Sequence, residues 1–529
     1  METEVFPSIF NDVIGPVMRG PSSSHTAASW RIAKTCVDLL NDDLKDALIE
    51  FPQSGVWASN YREQGTAMGM DGGLLGIDIT DERMINPDLI AKLKGITITY
   101  RISSFKTDHP NTIRISLSGK TGGKAVIIAV STGGGMFEIR KYNAYATNIQ
   151  GGYYYLFITV KNSFGQKELE AIQSTLPDNS TISLSENGQG KLIMAKSFHP
   201  FHQEIAEEIK KHPGIDKVIY IRPVLPVLSG NELNYPFTDI ESMLSYARKK
   251  NLSLGKLGLI YESCRSGLPE DELILKMKEI IQIIEKGISI GLEGTKYGDR
   301  ILQQQSHLIK NAENGGLIKT GPMVNSIIAN ITALMEAKSA MQVIVAVPTA
   351  GSCGTFGGTL KAFCDTNHIE EENKILAYFA GGLIGVYFAK GPGFSAEEYG
   401  CQVETGAAAP MTAAALTELS GGNAEQAVGA ASMALQNTIG LVCDPVADRV
   451  EVPCLGRNVT AGMNALAAST MALSGFNPVI PLDQVINTVR QVGKTIPIAL
   501  RNTGRGGLSV TPQARKLKNM LRNSGEKGA

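Results

Sequence analysis

The chain has 529 residues, enough for roughly two to four domains and a large core. Lys plus Arg number 50 and Asp plus Glu 51, so a net charge of -1 gives no electrostatic attraction to nucleic acid or to an anionic membrane surface. Seven cysteines, an odd and low count for this length, exclude a disulfide framework and leave packing, metal or catalytic roles.

The N-terminus METEVFPSIF is acidic and lacks a basic-then-apolar leader pattern, so the expected location is the cytoplasm. A Gly/Pro/Ser-rich loop then leads into a helical pattern from about Ala27 to Leu40. Strand-like runs follow at Ile96–Ile102, Thr112–Leu117 and Lys124–Val130, separated by Gly119 and Gly122-Gly123 and closed by Gly133-Gly134-Gly135. Residues 1–145 therefore read as an α/β domain. Over residues 146–230 the runs Tyr153–Val160, Gln166–Leu176, Ser180–Ser185, Lys191–Ala195, Phe201–Lys210 and Lys217–Arg222 give the order β-α-β-β-α-β. That order is ferredoxin-like and common among small amino-acid-binding regulatory domains. A Pro, Gly and Asn-rich linker, Pro223–Pro236, precedes an all-helical domain at 236–521, with a near-3.6 apolar period in Glu270–Lys286 and an Ala-rich stretch Gly406–Gln436 broken at Gly421-Gly422. The most apolar run, Ile375–Ala389, is too short to span a bilayer and reads as a buried helix. The polar tail Asn523–Ala529 is expected to fray.

Chemistry concentrates in the helical domain. Cys401 lies in Glu398-Tyr399-Gly400-Cys401-Gln402-Val403-Glu404, Cys443 in Val442-Cys443-Asp444-Pro445-Val446-Ala447, and Cys454 in Val452-Pro453-Cys454-Leu455-Gly456-Arg457. Cysteines beside prolines at element ends sit in turns, where thiolates can converge on a soft metal centre. Three thiolates on a four-iron cluster leave one iron open to act as a Lewis acid. Against this, the tight CxxC spacing of common metal sites is absent, and buried cysteines often only fill space.

These segments, with Gly20-Pro21-Ser22-Ser23-Ser24-His25-Thr26-Ala27, His109-Pro110-Asn111-Thr112 and Pro348-Thr349-Ala350-Gly351-Ser352-Cys353-Gly354, resemble the iron–sulfur-dependent L-serine dehydratases (L-serine ammonia-lyases). The resemblance covers nearly the whole chain, as a fusion of the family's β part with its α, catalytic part from about residue 236. It implies Cys401, Cys443 and Cys454 as ligands of a [4Fe-4S] cluster, with Cys353 lining the site. It implies elimination of water from L-serine, then release of ammonia and pyruvate, without pyridoxal phosphate. Some members carry a C-terminal cysteine in the site, whereas this chain ends in Ala529. The expected partner is a small amino-acid substrate, in a homo-oligomer, with neither nucleic acid nor membrane.

The loop Ser22–Thr26 precedes a helix, where hydroxyls cap amides and also bind anions. Ser23, Ser24 and Thr26 are thus substrate-carboxylate candidates, and His25 is the proton-transfer candidate. Thr349 and Ser352 belong to a small, polar turn suited to the same carboxylate or to a plain helix connection. Arg457 could bind it bidentately or sit on the surface. Thr66 falls in the segment Glu63-Gln64-Gly65-Thr66-Ala67, where the family has Gly-His-Gly-Thr-Asp. Gln64 replaces the histidine and cannot titrate near neutrality, and Asp448 stands where the family has glycine. These departures keep open L-cysteine desulfuration, dehydration of another hydroxy amino acid, and a non-catalytic amino-acid sensor with a structural cluster.

Overall fold

A computed structural model describes residues 6–161, 164–187, 190–230, 234–298 and 300–525; residues 231–233 of the expected linker and 526–529 of the expected frayed tail lie outside the described residues. The chain has mixed sheet parts and a helical part.

The first part centres on a six-stranded sheet in the order Thr97–Ser103, Leu44–Pro52, Thr112–Gly119, Lys124–Gly133, Met136–Tyr142, Tyr145–Ile149. Its first pair is parallel and the rest antiparallel. Alternating burial in Thr112–Gly119 turns Ile113, Ile115 and Leu117 toward the helix Ala28–Leu40, which packs across the sheet. Leu44–Pro52, an interior strand next to the edge, has no clean alternation: it opens on Leu-Lys-Asp, and its last four residues, Ile49 to Pro52, are all buried. The next part runs strand, helix, strand, strand, helix, strand from Tyr154 to Ile221, with strand order Ile215–Ile221, Tyr154–Val160, Gly190–Ser197, Thr181–Asn187, all antiparallel.

From Ile240 onward the chain is mostly helical. The Ala-rich stretch forms two helices, Thr405–Leu419 and Ala424–Gln436, and every residue of the first except Glu418 is buried. Small side chains permit that closeness: a Cβ on Gly258 would come within 2.4 Å of the Phe379 carbonyl oxygen. No helix among the described residues is long and apolar enough to cross a membrane.

Two contacts join the sheet part to the helical part where the chemistry lies. Val17–Arg19 pairs antiparallel with Val343–Val345, and beyond this short ladder the Ala350 amide donates to Ser23 Oγ, which holds the Ser22–Thr26 loop against the Thr349–Gly354 turn. At Gly133, φ +95° and a backbone bridge to Phe394 leave no room for a side chain; a Cβ would lie 2.6 Å from the Phe394 carbonyl carbon. That glycine turn brings the sheet to the segment carrying Glu397 and Cys401.

Candidate active site

Cys401 begins a single 3-10 turn, Cys443 lies in an extended stretch, and Cys454 opens the helix Cys454–Leu473. All three are buried, at 2%, 6% and 7% exposure. The Cys401 and Cys443 sulfurs and a Glu404 carboxylate oxygen lie within 4.8 Å of one another. Cys454 is not part of that close group, but it lies near enough for Cys401, Lys338, Glu404 and Arg457 to act on it; burial, chiefly, pushes its thiol up to about 12. A hydrogen bond from Cys443 is the largest influence on Cys401 and, with Arg457, brings its thiol down to about 7 against the effect of burial. Donating that bond, together with burial, drives Cys443 the other way.

Basic side chains stand among the thiols. Lys338 is buried, which holds its ammonium below the ordinary range; it bonds the Val450 carbonyl, and Cys454 and Cys353 lie near enough to act on it. Arg457 donates to the Val442 carbonyl (2.7 Å) and to Asp444 (2.8 Å) on the two sides of Cys443. Asn458 ties the turn together by donating to the carbonyls of Gly351 and Cys454, both at 2.8 Å. Arg457 thus has protein partners beside the thiols.

Asp448 and Ala447 have left-handed backbone, φ 58° and 51°, a conformation natural to glycine and tolerated by aspartate. The Asp448 carboxylate pairs with Lys518 of the last helix, which balances its charge.

The second half of the site surrounds His25, buried in the π-helical turn Ser23–Ala27 that runs into Ala28–Leu40. Its Nε2 faces Asn60 Oδ1 at 3.1 Å; its Nδ1 faces Ser22 Oγ at 3.0 Å and Ser24 Oγ at 3.1 Å. Since Asn60 presents an oxygen, Nε2 carries the proton and Nδ1 accepts from the hydroxyls. Burial holds the imidazole below its ordinary pKa, opposed by Glu397, whose carboxylate stands 3.8 Å from Nδ1. Burial would raise Glu397, but the charge that His25 carries when protonated, together with the Asn502 amide, holds the carboxyl low. Glu397 Oε1 also accepts from Ser24 (3.3 Å) and from Asn502 (3.0 Å). The result is a neutral imidazole facing a carboxylate.

Gln64 is buried in the same network, exchanging both hydrogen bonds of its amide with that of Asn502, at 3.0 and 3.2 Å. Asn502 also donates its backbone N–H to the Cys443 carbonyl at 2.8 Å, so one residue touches both halves. Ser23 Oγ accepts from the Ala350 amide at 3.2 Å, and Thr349 and Ser352 bond each other at 3.0 Å. Thr26 donates to the Gln64 carbonyl. Thr66 opens the helix Thr66–Leu74 with a buried hydroxyl that has no hydrogen-bond partner among the described residues. His109 lies 3.9 Å from Glu398, and Pro110 lines a cavity of about 370 Å³ together with Glu397, Ser54, Arg501 and Arg505.

Glu397, Asn60, Asn502, Glu404 and Lys338 were not singled out in the sequence. Glu397 sits in a Glu-Glu pair four residues before Cys401, a spacing that offers a weak signal. Asn502 lies in a Gly-rich tract that resembles a surface loop.

Comparison with known proteins adds a family. The serine dehydratase alpha chain family matches residues 167–509, a span that contains all three cysteines and Glu397. The probable L-serine dehydratase alpha chain of Bacillus subtilis is 33% identical over 285 residues, 54% of this chain and 95% of that relative. The L-serine dehydratase alpha chain of Peptoniphilus asaccharolyticus is 30% identical over 287 residues, 54% of this chain and 98% of the relative. L-serine dehydratase 1 of Escherichia coli K12 is 33% identical over 294 residues, 54% of this chain and 64% of the relative.

Proposed function

Because the chain belongs to the serine dehydratase alpha chain family, we propose that it is a lyase that removes water and then ammonia from L-serine, leaving pyruvate, with a [4Fe-4S] cluster held by Cys401, Cys443 and Cys454. The observation that carries this reading is the meeting of a buried thiol group with a buried His25–Glu397 pair across one residue, Asn502.

The donor set fits such a cluster. The sulfurs of Cys401 and Cys443 meet beside Glu404, Cys454 opens the helix that carries Arg457, and Arg457 and Lys338 are the basic groups available to offset thiolate charge. When bound, the cluster supplies Lewis-acid stabilisation of the departing hydroxide. The remaining work belongs to side chains. Ser23, the Ala350 amide, Thr349 and Ser352 form a polar wall suited to the substrate carboxylate. Thr66 has a hydroxyl still to be satisfied and is the further candidate for substrate contact. Thr26 holds the Gln64 backbone and supports that wall. Neutral His25 takes the Cα proton at Nδ1, with Ser22 and Ser24 orienting the ring, and Glu397 stabilises the resulting imidazolium. Arg457 positions the Cys443 turn. Gln64 contributes an amide to the network in place of a titrating group.

The test is anaerobic purification of the full chain with iron and acid-labile sulfide analysis, followed by pyruvate release from L-serine and sulfide release from L-cysteine. A brown protein that forms pyruvate is expected. A colourless, iron-free protein overturns the cofactor assignment, and a brown protein more active in sulfide release replaces serine with cysteine. A brown protein inactive on both favours an amino-acid sensor.

A further inference from the structure

A second polar cavity, about 230 Å³, lies where the N-terminal segment, the small four-stranded part, the stretch after it and the helix Leu254–Ser266 meet. Junctions of this kind are where small-ligand pockets form, and the volume suits a ligand of amino-acid size. Arg265 and Asp12 both line it.

Arg265 is 2% exposed. Its Nε donates to Glu262 in a buried ion pair (2.9 Å), its Nη1 to Ser229 Oγ (3.0 Å), and its Nη2 to the Val227 and Leu228 carbonyls (3.1 and 3.4 Å). These bonds fix the guanidinium and leave one Nη1 N–H, beside Ser229, to donate to a ligand. Ser229 accepts from it, so the Ser229 O–H remains a donor beside it at the cavity wall. Asp12 is held through one oxygen, Oδ2, which accepts from the Ser8 amide at 2.8 Å. Arg265 and Arg31 act on Asp12 through space, yet among the described residues neither forms an ion pair with it, and burial pushes its carboxyl above the ordinary range. A cation within the cavity would settle that carboxylate. Tyr153 and Phe198, stacked at 4.5 Å, supply an apolar wall.

We propose that this cavity is a binding site for a small zwitterionic α-amino acid, its carboxylate toward Arg265 and Ser229 and its ammonium toward Asp12. The site is separate from the thiol and His25 groups and does not depend on the serine reading.

The probe is radiolabelled L-alanine, which has no β-hydroxyl to eliminate, in equilibrium dialysis against anaerobically purified full-length protein. One equivalent is expected to bind. Asp12→Asn, which keeps the shape and the Ser8 contact, should weaken that binding at least tenfold, and Leu225→Trp, which fills the cavity from its partly exposed rim, should do the same. His25→Asn should leave it within twofold. N-Acetyl-L-alanine and L-alanine methyl ester, each lacking one charge, should fail to compete. No binding, binding indifferent to Asp12→Asn and Leu225→Trp, or competition by either blocked analogue overturns the proposal. Pyruvate formation from serine, followed in the same variants, separates these outcomes from failure of the enzymatic reading: binding can be present without turnover, and turnover without binding.

Discussion

Around Cys401, Cys443 and Cys454 the neighbours are ionisable: Arg457 and Lys338, anchored on carbonyls of the helical part, and Glu404, whose carboxyl burial pushes well above its ordinary range. Around His25 the partners are mostly hydroxyls and amides, and they come from both parts: Ser22, Ser24 and Asn60 from the first, Glu397 and Asn502 from the second. One half is a ligand set that a single folding unit can preorganise. The other is a hydrogen-bonded seam between two units. Metal retention should therefore depend on the helical part alone, and proton handling on the contact between parts.

The harshest way to break that division is Cys443→Ser. Loss of visible absorbance and of iron is expected, with turnover down about a thousandfold or more, since the Lewis acid contributes several kcal/mol. Retained colour would remove Cys443 from the ligand set. Next comes His25→Asn, for which kcat should fall roughly 10²- to 10⁴-fold, the usual range for a lost acid–base group, while iron and sulfide stay at wild-type levels. If His25→Asn also bleaches the protein, the halves are not separable.

The two halves also differ in how far the sequence discloses them. The cysteines are legible through the family resemblance of their segments, helped for Cys443 and Cys454 by the prolines beside them, and not through their spacing. Ser22–Thr26 likewise stands out as a polar cluster before a helix. Glu397 and Asn502 do not, because their role arises from tertiary contact: Gly133 against Phe394 brings one in, and the pairing of Cys443 with the 500–502 segment brings the other. In the fold, alternation marked Thr112–Gly119 plainly. Leu44–Pro52 escaped notice because its alternation is blurred: Leu48 is apolar on the face opposite Ala47, Ile49 and Phe51, and Glu50 is buried there against Arg114. Met136–Tyr142 carries charges, and Val343–Val345 was visible only as an apolar run.

Glu397→Gln sharpens the comparison through pH. Wild-type kcat/KM should fall as pH drops through the pKa of His25, which burial holds below its ordinary 6.5, because the protonated ring cannot accept a proton. The Glu397 charge raises that pKa, so removing it should move the acid limb to lower pH and cut kcat by roughly 10- to 100-fold. An unshifted limb would make Glu397 purely structural. Asn502→Ala strands the Gln64 amide and one Glu397 contact; a buried unmet polar group costs about 1–3 kcal/mol, so a loss near tenfold in kcat is expected, with colour intact.

Ser22→Ala should have the smallest effect, and its size decides how the ring is oriented. Both Ser22 and Ser24 reach Nδ1, at 3.0 and 3.1 Å, but Ser24 alone of the two also donates to Glu397. If Ser24 can serve Nδ1 unaided, removing Ser22 leaves the acceptor satisfied and kcat falls only about two- to fivefold, the worth of one neutral hydrogen bond at the low end of its range. If Ser24 is instead committed to Glu397, Nδ1 is left without a donor and Ser22→Ala approaches the Asn502→Ala loss. Measuring kcat for Ser22→Ala, Ser24→Ala and the double variant distinguishes these cases. Additive losses mean two independent supports for His25, and a double variant no worse than Ser24→Ala means that Ser22 acts through Ser24, which it meets at 3.3 Å.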